Sequence, residues 1–362
     1  MKIPFIKKNI LLSDFIFVIS GIFIIIIILA EAYFQITDKI NNIERANYFD
    51  RTVKLYRKHP LKQYSLNPES FRFLYKINKN GFRDIECNRE IPKKHDTYRV
   101  FAVGSSTTFG IGNSGENTWP YLLEQKLNAS NSGKKYEVIN AGVIAYRSMH
   151  NLTDFVSNLI DYKPDALFLY IGMNDIIEMT SPKFKSNYDH KSTVYWSEES
   201  FLDTVIGSVK KLLTYSRLYL KLCRRLNKNQ LTLLDFANNA NNEMFGSDNS
   251  ISYLDNNIPC FERNLENMIL LAKAKKIKIV NIKFVCSAEF NKQLKWHPEI
   301  FEQGALKINK ILRDVSVKYN SEFIDFDFPQ DVKYYFDVVH FNDEGNKMFA
   351  NLLFESLKKI KF

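Results

Sequence analysis

Five short, unbroken apolar runs separated by helical periodicity constrain what this chain can become more than any other feature in it. They are "YRVFAV" (98–103), "YEVIN" (136–140), "ALFLYIG" (166–172), "KIKIVNIKF" (276–284) and "EFIDF" (322–326). A strand with one wet face alternates apolar and polar residues, whereas a strand covered on both faces reads as continuously apolar. Helical patterns fill the intervals, among them "ENTWPYLLEQKL", "SMHNLTDFVSNLIDY" and "FERNLENMILLAKAK". Strand–helix alternation of this kind predicts a parallel sheet with helices on both sides, an α/β fold. The closing "FNDEGNKMFANLLFESLKKIKF" predicts a last amphipathic helix with Asn342 as its N-cap. In open sheets of this class ligands bind beyond the carboxyl ends of the strands, so chemistry is expected just after each run.

The N-terminus obeys a different pattern. After Lys2, Lys7 and Lys8, no charge occurs from Phe15 to Ala30. With its apolar flanks the stretch is about 25 residues, or roughly 37 Å of helix. That crosses a hydrocarbon core of about 30 Å with tilt, leaving Asp14 and Glu31 near the two interfaces. A cleaved signal peptide is the competing reading, with Ala30-Glu31-Ala32 as the cleavage site, but the apolar run exceeds the ~7–15 residues of a signal core. Residues 1–34 are therefore expected to be a retained, single-pass membrane anchor. Lysines ahead of the helix favour a cytoplasmic N-terminus and an extracytoplasmic globular part, a bias weakened by Lys39, Arg45, Arg51 and Lys54 on the far side.

Residues 35–97 are polar, tyrosine-rich and poorly periodic, a membrane-proximal lead-in with a turn at Asn80-Gly81. The domain proper is expected over 98–362, interrupted by an insertion at about 178–252 that is too long for a plain connection. That insertion carries a basic stretch, 209–228, with helical spacing, which reads as a solvated helix or as one touching anionic lipid. It is expected to lie over one end of the sheet. The net charge of +10 is dispersed, which argues against a nucleic-acid partner. Cys87, Cys223, Cys260 and Cys286 form no CxxC pair and have no histidine at ligand spacing, so no structural metal is expected.

The strand ends carry the chemistry. The first run breaks into Gly104-Ser105-Ser106-Thr107-Thr108, where a glycine permits a tight exit and a serine can stand at the sheet edge. Taken alone, such a cluster reads equally as helix capping. The second run leads into "NAGVIAYRS" (140–148), whose small residues allow close backbone approach. The third leads into "IGMNDI" (171–176), with a side-chain amide at Asn174, although an Asn-Asp turn would look the same. After the fifth comes "YYFDVVHFND", in which Asp337 and His340 are three apart, close enough for the carboxylate to orient the ring. His150, near the second block, reads first as helix surface and second as a residue lining the pocket, and Trp119 reads as a packing residue.

Together these stretches resemble the SGNH (GDSL-type) hydrolases, whose four blocks match "GSSTTFG", "NAGVIAYRS", "IGMND" and "DVVHFNDEG". The likeness covers residues 98–177 and 322–362 in motif, and "NKNGFRD" resembles the lead-in of membrane-linked members. It implies a three-layer α/β/α sandwich of flavodoxin-like kind with a five-stranded parallel sheet, and no metal or organic cofactor. By position it implies Ser106 as nucleophile, His340 as general base and Asp337 as its orienting acid. The oxyanion hole would take the Ser106 and Ala145 amides and the Asn174 side chain, with Gly142 a further donor in the same turn. The remaining hydroxyls of the first block are expected to cap the next helix.

Two departures stand out. Ser105 replaces the usual aspartate, and Ala145 replaces a glycine, which is expected to narrow the pocket or to hold φ below zero. The resemblance implies a serine esterase whose substrate is an acylated carbohydrate or other ester, an O-acetylated envelope or exported polysaccharide being the first expectation. The alternatives are an O-acyltransferase, a lipid esterase or lysophospholipase, and a catalytically silent carbohydrate-binding subunit.

Overall fold

The computed structural model describes residues 4–40, 55–72, 74–83, 93, 96–130, 133–188, 216, 218, 249–293 and 298–360. The basic stretch 209–228 and the Asn-rich part of the insertion lie outside the described residues apart from Ser216, Leu218, Asn249 and Ser250, as do Cys87 and Cys223. Two compact units divide the chain: Met1–Val53 with Glu198–Gln230, and Lys54–Ser197 with Leu231–Phe362.

In the first unit, α1 (Pro4–Ile40) contains an apolar stretch, Phe15–Thr37, of 23 residues with mean hydropathy 2.8 and no buried side chain. At 1.5 Å per residue it is about 35 Å long, enough to cross a bilayer. An anchor and a signal sequence both present such an apolar helix near the N-terminus. Glu31 accepts hydrogen bonds from the Ser216 hydroxyl at 2.7 Å and the Leu218 amide at 2.9 Å.

The second unit opens with two small hairpins, β1 (Tyr56–His59) with β2 (Gln63–Leu66) and β3 (Phe71–Arg72) with β4 (Tyr75–Lys76). The main sheet follows: β5 (Thr97–Gly104), β6 (Lys135–Asn140), β7 (Ala166–Tyr170), β8 (Lys278–Ile282) and β9 (Glu322–Ile324). All neighbouring pairs are parallel, in the order β6-β5-β7-β8-β9. The helices between and after them are α2 (Ser106–Phe109), α3 (Trp119–Ala129), α4 (Ser148–Ser157), α5 (Met173–Met179), α6 (Ile251–Asn257), α7 (Pro259–Ala274), α8 (Ala288–Gln293), α9 (Pro298–Lys318) and α10 (Asp343–Lys359). Apart from α2, which sits on β5, they pack in two groups: α3 against α10, and α4, α5, α6, α7, α8 and α9 among themselves.

The continuous apolar runs are the strands, and their burial explains the pattern. Val100, Phe101 and Ala102 on β5 and Leu167, Phe168 and Leu169 on β7 are fully enclosed, side chains of both faces included. Each such Leu, Phe or Val contributes about 1.5–3 kcal/mol, so the centre of the sheet is a stiff platform. Asn342 caps α10 by accepting from the Gly345 amide at 3.0 Å.

The strand order has a functional consequence. From β5 the chain first steps to β6, then crosses back to place β7 on the other side. This reversal opens a crevice at the carboxyl ends of β5 and β7, the place where such sheets bind ligands.

Candidate active site

Gly104 ends β5 and lets the chain turn sharply. A Cβ there would lie 2.1 Å from Thr108 Oγ1 and 2.6 Å from the Tyr170 carbonyl, so any side chain would drive α2 off the strand. The first turn of α2 thus sits on the sheet edge and carries Ser106, which is half-buried.

The partner loop comes from the other end of the sheet. After β9, residues 335–341 form a loop closed by a bridge between Tyr335 and Phe341 and by the Phe336 amide donating to the His340 carbonyl at 2.8 Å. Asp337 organises its interior: Oδ1 accepts from the Val339 and His340 amides at 2.9 and 2.8 Å. Its Oδ2 lies 2.7 Å from His340 Nδ1, and His340 Nε2 lies 2.8 Å from Ser106 Oγ. With the Nδ1 proton donated to Asp337, Nε2 is left to accept from the serine hydroxyl. Three residues spread over more than 230 positions therefore form one hydrogen-bonded line.

The Asp337 carboxyl is buried, which by itself would raise its pKa. The adjacent imidazole and the three hydrogen bonds outweigh that and hold it below the usual carboxylate range. Such a carboxylate stays ionised and can support positive charge on His340.

Residues 102–348 match the GDSL-like Lipase/Acylhydrolase family. The chain belongs to that family. It is accordingly a hydrolase of ester bonds. Similar solved structures include the lipase/acylhydrolase from Enterococcus faecalis, at 14% identity over 73% of this chain and 96% of that one, TM-score 0.43. Another is the acetyl xylan esterase AlAXEase, at 14% identity over 72% and 99%, TM-score 0.41. A third is a variant of Axe2, an acetyl-xylooligosaccharide esterase from Geobacillus, at 13% identity over 74% and 95%, TM-score 0.42. None of the curated proteins compared matches.

In this GDSL-like acylhydrolase the second block is a tight turn. Tyr146 N donates to the Val143 carbonyl at 3.1 Å, and the third residue of the turn, Ala145, has φ 63° while Ile144 keeps a negative φ. That is a type II turn, in which the third position wants glycine. The expectation of φ below zero at Ala145 is thus corrected: the alanine keeps the left-handed conformation, at a cost of about 1–2 kcal/mol. Neither the Ser106 nor the Ala145 backbone amide donates a hydrogen bond among the described residues. Gly142 differs. Its amide is taken by Asn140 Oδ1 at 3.0 Å, and a Cβ there would lie 2.3 Å from the Phe109 amide. Gly142 seats α2 against the second block and is not an available donor.

Asn174, at the start of α5, directs Nδ2 to the Tyr146 carbonyl at 2.9 Å. One hydrogen of the side-chain amide fixes its orientation, and the other remains for a ligand. The capping expectation for the first block fails: Ser105 makes no side-chain cap, and the Thr107 and Thr108 hydroxyls have no partner among the described residues. With only one turn of helix to cap, Thr108 instead packs under Gly104.

Three features escaped the sequence reading. His150 is buried at 5% exposure, not on the helix surface. It stacks on Tyr146 with ring centroids 5.0 Å apart, and burial followed by the Arg147 charge pushes its pKa down to about 3. Asp175 is fully buried and accepts from the Ser148 hydroxyl at 2.5 Å, the Ser148 amide at 2.9 Å and the Tyr188 hydroxyl at 2.7 Å. It ties the second block to α5. The lead-in also packs directly on the site: Leu55, Tyr64, Leu66 and Ile77 share a buried cluster with Phe109, Val143 and Tyr146.

Among the described residues no cluster of His, Cys, Asp and Glu is suited to a metal ion.

Proposed function

We propose that the protein is a serine esterase acting through an acyl-serine intermediate, with Ser106 as nucleophile, His340 as general base and Asp337 as its orienting acid. The observation that carries this reading is the 2.8 Å approach of His340 Nε2 to Ser106 Oγ with Asp337 behind the ring.

In the first step Ser106 Oγ attacks the ester carbonyl while its proton passes to His340 Nε2. The charge that develops on the carbonyl oxygen is met by the Ser106 and Ala145 amides and the Asn174 side chain. Each such donor is worth about 2.7–4 kcal/mol of barrier. The protonated imidazole then gives its proton to the departing alcohol, leaving acyl-Ser106. In the second step His340 takes a proton from water, the hydroxide attacks the acyl carbon, and the proton returns to Ser106 as the acid leaves.

The substrate proposed is an O-acetyl group on a cell-envelope or exported polysaccharide, reached by an extracytoplasmic domain held at the membrane through α1. What supports the membrane attachment is the length and apolarity of Phe15–Thr37. The same exposed helix favours a second reading, a lipid esterase.

The test uses the full chain in detergent. Wild type should hydrolyse p-nitrophenyl acetate and take a fluorophosphonate label, and Ser106→Ala should do neither. Equal inertness of the two proteins would hand the assignment to a silent binding subunit. Acetate release from the producing organism's envelope polysaccharide, against fatty-acid release from lysophospholipid, separates the two substrate readings. An oligosaccharide acceptor that captures the acetyl group would mark a transferase.

A further inference from the structure

The second-block turn holds an alanine where glycine is the natural occupant, and the lead-in hairpin grips that turn from outside. The Tyr64 hydroxyl, on β2, donates to the Ile144 carbonyl at 2.9 Å. In return the Tyr146 hydroxyl donates to the Tyr64 carbonyl at 2.7 Å. The two rings meet edge to face with centroids 5.3 Å apart, and both are at most 2% exposed.

The Ile144 carbonyl and the Ala145 amide belong to one peptide plane. In a trans peptide the C=O and N–H point in opposite directions, so whatever holds the oxygen aims the hydrogen. A type II turn differs from a type I turn by rotation of this central peptide, and type I would place Ala145 at a negative φ that alanine prefers. The left-handed alanine persists because its surroundings over-determine it. Tyr64 holds the carbonyl of the residue before it, Ile144, and Asn174 holds the carbonyl of the residue after it, Tyr146, at 2.9 Å.

We infer that Tyr64 is a positioning residue: its hydroxyl locks the 144–145 peptide in the orientation that presents the Ala145 amide to the oxyanion. This rests on the proposed role of that amide. The lead-in hairpin would then be part of the catalytic framework, supplying by a contact 80 positions away what glycine would supply by its own preference.

The experiment uses the full chain in detergent, with p-nitrophenyl acetate kinetics and the 13C methyl shift of Ala145 as separate readouts. Tyr64→Phe should lower kcat about tenfold, less than outright loss of an oxyanion donor, with KM within about twofold. The Ala145 methyl should move away from its left-handed position. Adding Ala145→Gly to Tyr64→Phe should restore most of the lost kcat, because glycine favours the type II turn unaided. A purely structural role for the hydroxyl predicts no such rescue. Should Tyr64→Phe fail to fold, Tyr146→Phe breaks the reciprocal bond and should show the same rescue at smaller amplitude.

Unchanged kcat and an unmoved methyl in Tyr64→Phe, or a deficit that Ala145→Gly leaves intact, would overturn the inference. An inactive wild type whose Ala145 methyl still responds to Tyr64→Phe would instead overturn the esterase reading and leave the clasp standing.

Discussion

Two aspartates at the carboxyl edge of the sheet are alike in burial and in the three donor groups that hold each of them, yet their environments act on them in opposite directions. Asp337 accepts from two loop amides and an imidazole, and its pKa is lowered. Asp175 accepts from two hydroxyls and an amide. Desolvation dominates there and raises its pKa despite those bonds. The difference lies in the directly bonded partner: an imidazole can become a cation, whereas a serine and a tyrosine cannot, and the Arg147 charge, paired with Glu178, is the smallest of the influences on Asp175. Burial with a chargeable group bonded directly suits the orienting acid proposed for Asp337; burial with neutral groups bonded directly suits a structural tie.

The comparison breaks most visibly in activity. Asp337→Asn should reduce kcat by about 10⁴-fold by misorienting the imidazole, measured with a chromogenic acetate ester. Should Asp175→Asn cost as much, the division of labour between the two is wrong. Asn174→Ala, which removes a donor beside Asp175 without touching it, should cost about 10²–10³-fold in kcat. For Asp175→Asn the main loss should be in stability. An amide nitrogen would then face the Ser148 amide, at about 1–3 kcal/mol by denaturant unfolding of the full chain.

The smallest effect sharpens the contrast most. The lowered pKa of Asp337 means that its ionised form stabilises the fold above the unfolded carboxyl value of about 3.9, and that this is lost as pH falls through the lower folded value. For Asp175 the raised pKa gives the opposite sign: its contribution is full below that same unfolded value and is lost as pH rises through the higher folded one. The stability gap between wild type and Asp337→Asn should therefore shrink toward acid, and that for Asp175→Asn should shrink toward neutrality. Parallel slopes would refute the assignment of opposite shifts.

Much of this was legible because it is local. Each apolar run is a strand, and the first three are followed directly by their blocks, so the five-stranded parallel sheet and most of the strand-end residues could be read without knowing any long-range contact. The Asp337–His340 pair was legible for the same reason, three positions being enough to define it. The Tyr64 contact was not, since β2 lies in a stretch without periodicity and its partner, Ile144, is 80 positions on. His150 looked like helix surface because nothing near it in the chain announces that Tyr146 and the lead-in will cover it. Ala145 misled for a subtler reason: a residue's identity states its preference for φ, while its neighbours decide whether that preference is honoured. Asp175 was passed over as half of an Asn-Asp turn, although a carboxylate opening a short helix beneath a sheet edge needs donors from somewhere.

The bridge between Tyr335 and Phe341 makes Asp337 and His340, the proposed acid and base, a single cassette. Length changes on the β9 side of Tyr335 would move that cassette as a body and leave its internal alignment untouched, whereas one residue inserted between 337 and 340 would scramble it. Natural and engineered drift in this enzyme should therefore accumulate insertions upstream of the bridge and tolerate none within it.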